Sequence, residues 1–64
     1  MLLNGKNVRL NAACTVAEFL KMQNLRAELV AIELNGSIVP RAEFNTAVLT
    51  DSDEVEVVSF VGGG

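Results

Sequence analysis

The stretch VAIELNGSIVP, residues 30–40, decides the fold, because it contains a strand, a tight turn and the start of a second strand. Val30, Ile32 and Leu34 alternate with other residues at the period of a half-buried β-strand, so we expect these three side chains to face the core. Asn35-Gly36 follows directly and is the dipeptide that most favours a type I′ hairpin turn. The stretch therefore predicts an antiparallel hairpin.

The second strand of this hairpin is short and contains proline. Pro40 has no backbone N–H, so it cannot donate the hydrogen bond that a strand with neighbours on both sides would need. We therefore place the strand formed by residues 37–40 at a sheet edge.

A second Asn-Gly pair lies near the start of the chain. Asn4-Gly5 follows the apolar run Met1-Leu2-Leu3 and precedes an alternating segment, Val8-Arg9-Leu10. This arrangement predicts a first hairpin, with Val8 and Leu10 on one side of its second strand.

One helix is predicted between the two hairpins. Thr15-Val16-Ala17-Glu18 has the pattern of a capping box, in which threonine and glutamate each satisfy a free backbone N–H of the other. Val16, Phe19 and Leu20 then form an apolar stripe, and the pattern ends near Asn24. So short a helix is not stable alone, so the stripe must pack on a sheet.

The last third of the chain predicts a connection followed by a final strand. In the connection, residues 41–49, we expect Phe44, Val48 and Leu49 to close one end of the core. Asp51-Ser52-Asp53 is a polar turn. The predicted order is β-β-α-β-β-β, an α+β domain with one helix on one face of a small sheet.

Alternation along the last strand places two sets of side chains on opposite faces. If Val55 and Val57 face the helix, then Glu56, Val58 and Phe60 lie on the other face. With no second layer to cover that face, Val58 and Phe60 form an exposed apolar patch and are candidate partner-docking residues. The alternative is that both side chains pack under the connection formed by residues 41–49.

Composition excludes several classes of function. The chain has 64 residues, a net charge of -3 and five scattered basic residues, which argues against nucleic-acid binding. No apolar run is long enough to cross a membrane, so we expect a cytoplasmic protein. With no histidine and Cys14 as the single cysteine, an internal disulfide, a Cys/His zinc site and a histidine-dependent nucleophile are excluded.

Two remaining polar features have ordinary structural explanations. Cys14 lies among small residues with no neighbouring base, so we expect no redox or persulfide role for it. Asp51 and Asp53 lack the spacing of a calcium-binding loop, so we expect a solvated turn.

The chain ends in three glycines that cannot contribute to a core. Gly62, Gly63 and Gly64 follow the last strand almost directly, so we expect a folded domain over residues 1–61 and a flexible tail over residues 62–64. A tail without Cβ atoms can enter a narrow channel and present its terminal carboxylate to a partner's active site. A frayed terminus or an expression remnant are the alternatives.

Taken together, these segments resemble the thiamine-pathway sulfur carriers of the ThiS family, which have the ubiquitin-like β-grasp fold with a mixed sheet. The resemblance covers the whole chain and rests on both Asn-Gly turns, the helix start at Thr15-Val16, the segment 35–41, the polar turn 51–53 and the ending 58–64. Ser52 departs from the glycine expected there, and this affects no chemistry.

The resemblance implies a protein that is a substrate and sulfur donor rather than an enzyme. An adenylyltransferase related to ubiquitin-activating enzymes would use ATP to adenylate the Gly64 carboxylate, with Gly62 and Gly63 threaded into its site. A persulfide donor would then convert the adenylate to a thiocarboxylate, which would deliver sulfur to a thiazole synthase. No cofactor or metal bound to the carrier is implied, and no catalytic side chain is required.

Three other functions use the same features. A molybdopterin-type carrier shares the fold and the chemistry, although the short length and the 35–41 segment favour the thiamine pathway. A ubiquitin-like modifier would join the same tail to lysines. A noncovalent β-grasp interaction module, from a different class, would work equally well without the tail.

Overall fold

A computed structural model describes residues 1–60 of the chain. One helix, α1 (Val16–Met22), packs on one face of a sheet, and two short 3-10 helices lie in the connections, at Ala27–Leu29 and Arg41–Glu43. The strands in chain order are β1 (Leu2–Leu3), β2 (Lys6–Asn7), β3 (Cys14–Thr15), β4 (Val30–Leu34), β5 (Ser37–Ile38), β6 (Val48–Leu49) and β7 (Glu54–Ser59).

The main sheet has five strands in the order β2-β1-β7-β4-β5. Strands β1 and β7 are parallel, whereas the other neighbours are antiparallel, so the sheet is mixed. Its strands and the helix follow the predicted β-β-α-β-β-β order, and β5 lies at an edge as the proline indicated. The predicted α+β fold class is confirmed.

Both Asn-Gly pairs form the predicted turns. Asn4 and Gly5 have φ values of 50° and 84°, and Asn35 and Gly36 have 52° and 87°, the left-handed pair that a type I′ turn requires. The second strand of the first hairpin was placed wrongly. It comprises Lys6–Asn7 rather than residues 8–10, because a two-residue turn brings the residue after Gly5 directly opposite Leu3.

The helix begins and ends with complete caps. The Thr15 hydroxyl accepts from the Glu18 N–H at 3.1 Å, and the Glu18 carboxylate accepts from the Thr15 N–H at 2.8 Å, which confirms the capping box. At the other end Asn24 has a φ of 58°, and the Leu25 N–H donates to the Leu20 carbonyl in a Schellman arrangement. Within residues 1–60 no helix has the length and apolar character needed to span a lipid bilayer.

The core lies between α1 and the inner face of the sheet. The predicted helix stripe is buried, as are two of the three inward residues of β4, Val30 and Ile32; Leu34 is half-buried and packs against them. The buried apolar residues are Met1, Val16, Phe19, Leu20, Val30, Ile32, Val39, Phe44, Leu49 and Val55.

A second, two-stranded sheet closes one end of this core. Cys14–Thr15 pairs antiparallel with Val48–Leu49. Phe44 and Leu49 are buried as expected, but Val48 is 50% exposed and does not contribute to the core. The prediction for Val48 was wrong because residues 48 and 49 form a strand, in which neighbouring side chains point to opposite faces.

Candidate functional site: the last strand and the outer face of the sheet

Strand β7 is the central strand of the main sheet, and it leads into the C-terminal residues. It pairs with β1 on one side and, from Val55 to Ser59, with β4 on the other. Beyond Ser59 the pairing continues, since the Phe60 N–H donates to the Leu29 carbonyl at 2.8 Å. The strand is therefore held on the sheet up to the last described residue.

The turn residue Asn4 holds β7 on the edge that faces β1. Its Oδ1 accepts from the Val57 N–H at 2.8 Å, and its Nδ2 donates to the Val57 carbonyl at 3.3 Å. The Asn4 side chain thus continues the sheet pairing past the end of β1. Sequence reasoning assigned Asn4 only a turn conformation, and nothing local in the sequence indicates its partner 53 residues away.

The outer face of the sheet, on the side away from α1, carries exposed apolar side chains near the end of β7. Val55 is fully buried and Val57 half-buried against the core, whereas Val58 is 53% and Phe60 62% exposed. The alternation predicted for this strand is confirmed, and neither side chain packs under residues 41–49. Their role in docking stays a prediction.

Sequence reasoning did not assign Ile38 to this face. Ile38 is 62% exposed and lies opposite Glu33, which shares the outer face with Val58. Alternation along β5 is the signal that would assign Ile38 to a face, but a strand of two residues is too short to show alternation. We call Val58 and Phe60 the apolar patch; Ile38 lies on the same face beyond Glu33.

Carboxylates occupy the other part of the same face. Glu33 on β4 lies directly opposite Glu56 on β7, and Glu54 is the next outward residue along β7. The ion pairs within residues 1–60 join the terminal amine to Asp51 and Arg26 to Glu28, so these three glutamates have no cationic partner there. We call Glu33, Glu54 and Glu56 the acidic cluster.

The polar turn before β7 is organised by its two aspartates. The Leu10 N–H donates to Asp51 at 2.7 Å, and this hydrogen bond is the main reason why the pKa of Asp51 lies below its ordinary value. Asp53 accepts from the Asn35 side chain at 3.0 Å and from the Thr50 N–H at 2.8 Å, which lowers its pKa as well. Both carboxylates fix the start of β7.

Cys14 lies away from the apolar patch, in the small sheet beside α1. The thiol is half-buried, and desolvation, together with the nearby Glu18 carboxylate, raises its pKa. A raised pKa leaves less of the reactive thiolate at neutral pH. In the described part of the chain no group of histidine, cysteine and carboxylate side chains is arranged to hold a metal ion.

The predicted tail residues Gly62, Gly63 and Gly64 lie outside the described residues, as does the predicted domain boundary at residue 61. What the structure brings together is the apolar patch, the acidic cluster and the strand that leads to those glycines.

Comparison with known families agrees with this architecture. The family model described as the ThiS family matches residues 1–64, the whole chain. The chain belongs to the ThiS family. The sulfur carrier protein ThiS of Bacillus subtilis is 35% identical over 63 residues, which cover 97% of this chain and 96% of the relative.

Solved structures show the same fold. The crystal structure of the thiamine biosynthesis protein ThiS from Geobacter metallireducens superposes with a TM-score of 0.83 at 35% identity, covering 98% of this chain and 96% of that one. The ubiquitin-like β-grasp fold inferred from the resemblance is thereby confirmed.

The chain also matches a part of larger proteins. It is 33% identical over 64 residues to a thiazole synthase of Paramagnetospirillum magneticum, of which it spans 20% of the length. A thiazole synthase of Magnetococcus marinus matches in the same way, over 19% of its length. The chain therefore spans about a fifth of the thiazole synthases that it matches.

Proposed function

We propose that this protein is a sulfur carrier for thiazole formation in thiamine biosynthesis, and that the Gly64 carboxylate carries the sulfur. The observation that supports this most is the placement of β7. This central strand, held on its two edges by Asn4 and Leu29, ends at an exposed apolar patch, and the terminal glycines follow it in the sequence. Membership of the ThiS family agrees with it.

The proposed chemistry needs an activated carboxylate. A carboxylate oxygen of Gly64 attacks the α-phosphorus of ATP and releases pyrophosphate, which gives an acyl adenylate. A persulfide anion then displaces AMP at the acyl carbon, and a thiol cleaves the resulting sulfur–sulfur bond to leave the thiocarboxylate. The product is a covalent store of sulfur.

In this proposal the carrier is a protein substrate and its partner enzymes perform the catalysis. The adenylyltransferase binds ATP, a persulfide protein supplies sulfur, and a thiazole synthase accepts it. The part of the carrier is to dock through Val58 and Phe60 and to present Gly62, Gly63 and Gly64. The thiazole synthases that match this chain favour that enzyme as the acceptor, because a carrier-like segment within such a protein places the two functions together.

Intact-mass measurement tests the proposal directly. The chain is incubated with the purified adenylyltransferase, ATP and a persulfide source, and we expect a mass gain equal to the replacement of one oxygen by sulfur. A control chain with residues appended after Gly64 should fold normally and gain no mass. Sulfur loading of that extended chain, without processing, would contradict the proposal.

The same measurement separates the other functions of this tail. A ubiquitin-like modifier would form conjugates with lysine side chains instead of a thiocarboxylate. Transfer of the sulfur to thiazole synthase, but not to a molybdopterin-forming enzyme, would distinguish the two carrier pathways.

A further inference from the structure

We propose that the outer face of the sheet docks a protein surface in which cationic side chains flank an apolar pocket, with the acidic cluster steering that surface onto the apolar patch. This inference rests on the proposed function, because the partner is taken to be an enzyme that acts on the C-terminal glycine. It adds the chemistry that the partner surface must have.

The strand register places the two groups side by side. Glu56 and Glu33 lie opposite each other on adjacent strands, and Ile38 lies on the far side of Glu33. The next outward pair is Ala31 and Val58, followed along the chain by Phe60. Along β7 the outward residues thus change from acidic, at Glu54 and Glu56, to apolar, at Val58 and Phe60.

The charge arrangement is unfavourable in the free protein. Like charges directly opposite each other in an antiparallel pair destabilise a sheet. Register also assigns Lys6 to the other face, because it pairs with Leu3, whereas Leu2 shares the outer face with Glu54. The Arg41 guanidinium is engaged elsewhere, donating to the carbonyls of Ala27 and Val30.

Charge complementarity selects one class of occupant. A partner with lysine or arginine side chains beside an apolar pocket would neutralise the acidic cluster while covering Val58 and Phe60. A second copy of this face would bring the same carboxylates together, and nucleic acid or an anionic membrane would be repelled. Long-range attraction of this kind chiefly raises the association rate, and salt screens it.

The test compares two double variants with the same change in net charge. Glu33→Gln with Glu56→Gln removes two charges of the acidic cluster. Glu28→Gln with Glu43→Gln removes two exposed charges from the 3-10 helices. Association with the purified adenylyltransferase is followed by stopped flow at ionic strengths of about 0.01 M and about 0.15 M, between which the screening length falls from ~30 Å to ~8 Å.

We expect the cluster variant to associate roughly tenfold more slowly at low salt and to lose most of its salt dependence, whereas the control variant keeps both within about twofold. The thermal midpoint of the cluster variant should equal or exceed that of the unmodified chain, because the repulsion between Glu33 and Glu56 is removed. If that variant does not fold, Glu54→Gln, which leaves the opposed pair intact, is measured in its place. Equal rates and salt slopes for the cluster and control variants would overturn the inference.

Failure of the inference and failure of the proposed function give different results. If the unmodified chain gains sulfur and the two double variants associate alike, only the docking inference falls. If the chain gains no sulfur but its binding is salt-dependent and weakened only in the cluster variant, the sulfur-carrier proposal falls and the docking inference stands. No binding by the unmodified chain overturns both.

Discussion

The Asn4 side chain pairs with the Val57 backbone as though it were another residue of strand β1. Its carbonyl oxygen accepts from the Val57 N–H at 2.8 Å, and its amide donates to the Val57 carbonyl at 3.3 Å. Parallel pairing of β1 with β7 stops at Leu3, so without Asn4 the Val57 polar groups would face an open edge. One residue thus forms a tight turn and holds the strand that leads to the terminal glycines.

Replacing Asn4 by glycine should therefore cost stability despite its left-handed backbone. Asn4→Gly keeps the conformation but removes both hydrogen bonds, and we expect a loss of about 1–2 kcal/mol in the free energy of unfolding. Asn24→Gly is the matched control, because Asn24 has a φ of 58° and its side chain makes no hydrogen bond within residues 1–60. For that control, urea denaturation should show a change below about 0.5 kcal/mol in the free energy of unfolding. Equal losses of stability in Asn4→Gly and Asn24→Gly would refute the role of the Asn4 side chain.

The last strand should respond to new charges according to the face they occupy. Val55 is fully buried, so Val55→Asp would bury an unpaired charge and unfold a domain whose stability is on the order of 5–15 kcal/mol. Val57→Asp should be destabilising but milder, since Val57 is half-buried. Thermal unfolding checks both variants.

Val58→Asp and Phe60→Asp should leave the fold intact and weaken docking. Both side chains are more than half exposed, so the new carboxylate stays in water until a partner covers it. We expect affinity for the adenylyltransferase to fall roughly tenfold or more, about 1.4 kcal/mol, with the larger effect for the aromatic residue. Normal binding by both folded variants would mean that the partner docks elsewhere.

Stability should fall in acid through the turn that precedes β7. Hydrogen bonds from Asn35 and Thr50 lower the pKa of Asp53 in the folded protein. The contribution of a carboxylate with a lowered pKa is present above about pH 4, its unfolded-state value, and is lost as the pH falls through the folded-state pKa. Asp53→Asn should therefore lower the thermal midpoint at neutral pH and reduce its further drop in acid.

The control for that measurement is Glu43→Gln, an exposed carboxylate whose side chain forms no hydrogen bond within residues 1–60. It should preserve the full acid-induced drop of the midpoint. If Asp53→Asn and Glu43→Gln give the same profile, Asp53 contributes nothing to the acid sensitivity.

Cys14 should be dispensable for sulfur loading. Its thiol is half-buried, with a pKa raised by desolvation and by Glu18, so little thiolate forms at neutral pH. We expect Cys14→Ser to load sulfur to the same extent as the unmodified chain, as judged by intact mass. A folded Cys14→Ser protein that fails to load would reveal a relay through this thiol.

Local chemistry in the sequence determined the two Asn-Gly turns, the Thr15–Glu18 capping box, the inward residues of β4 and the alternation along β7. Each of these depends on residues within a few positions of one another, so the pattern alone specifies the conformation. The family and its fold followed from these signals in combination, because few chains carry all of them in this order.

Only the tertiary structure decided which distant residues meet. Three features depend on the register of strands far apart in the chain. They are the hydrogen bonding of the Asn4 side chain to Val57, the position of Glu33 opposite Glu56, and the small sheet that exposes Val48. Register is set by packing the whole core, and a shift of one residue would reverse every face. The sequence could therefore identify a final strand whose outer face carries Glu56, Val58 and Phe60, whereas the position of Glu33 directly opposite Glu56 emerged only when the strands were paired.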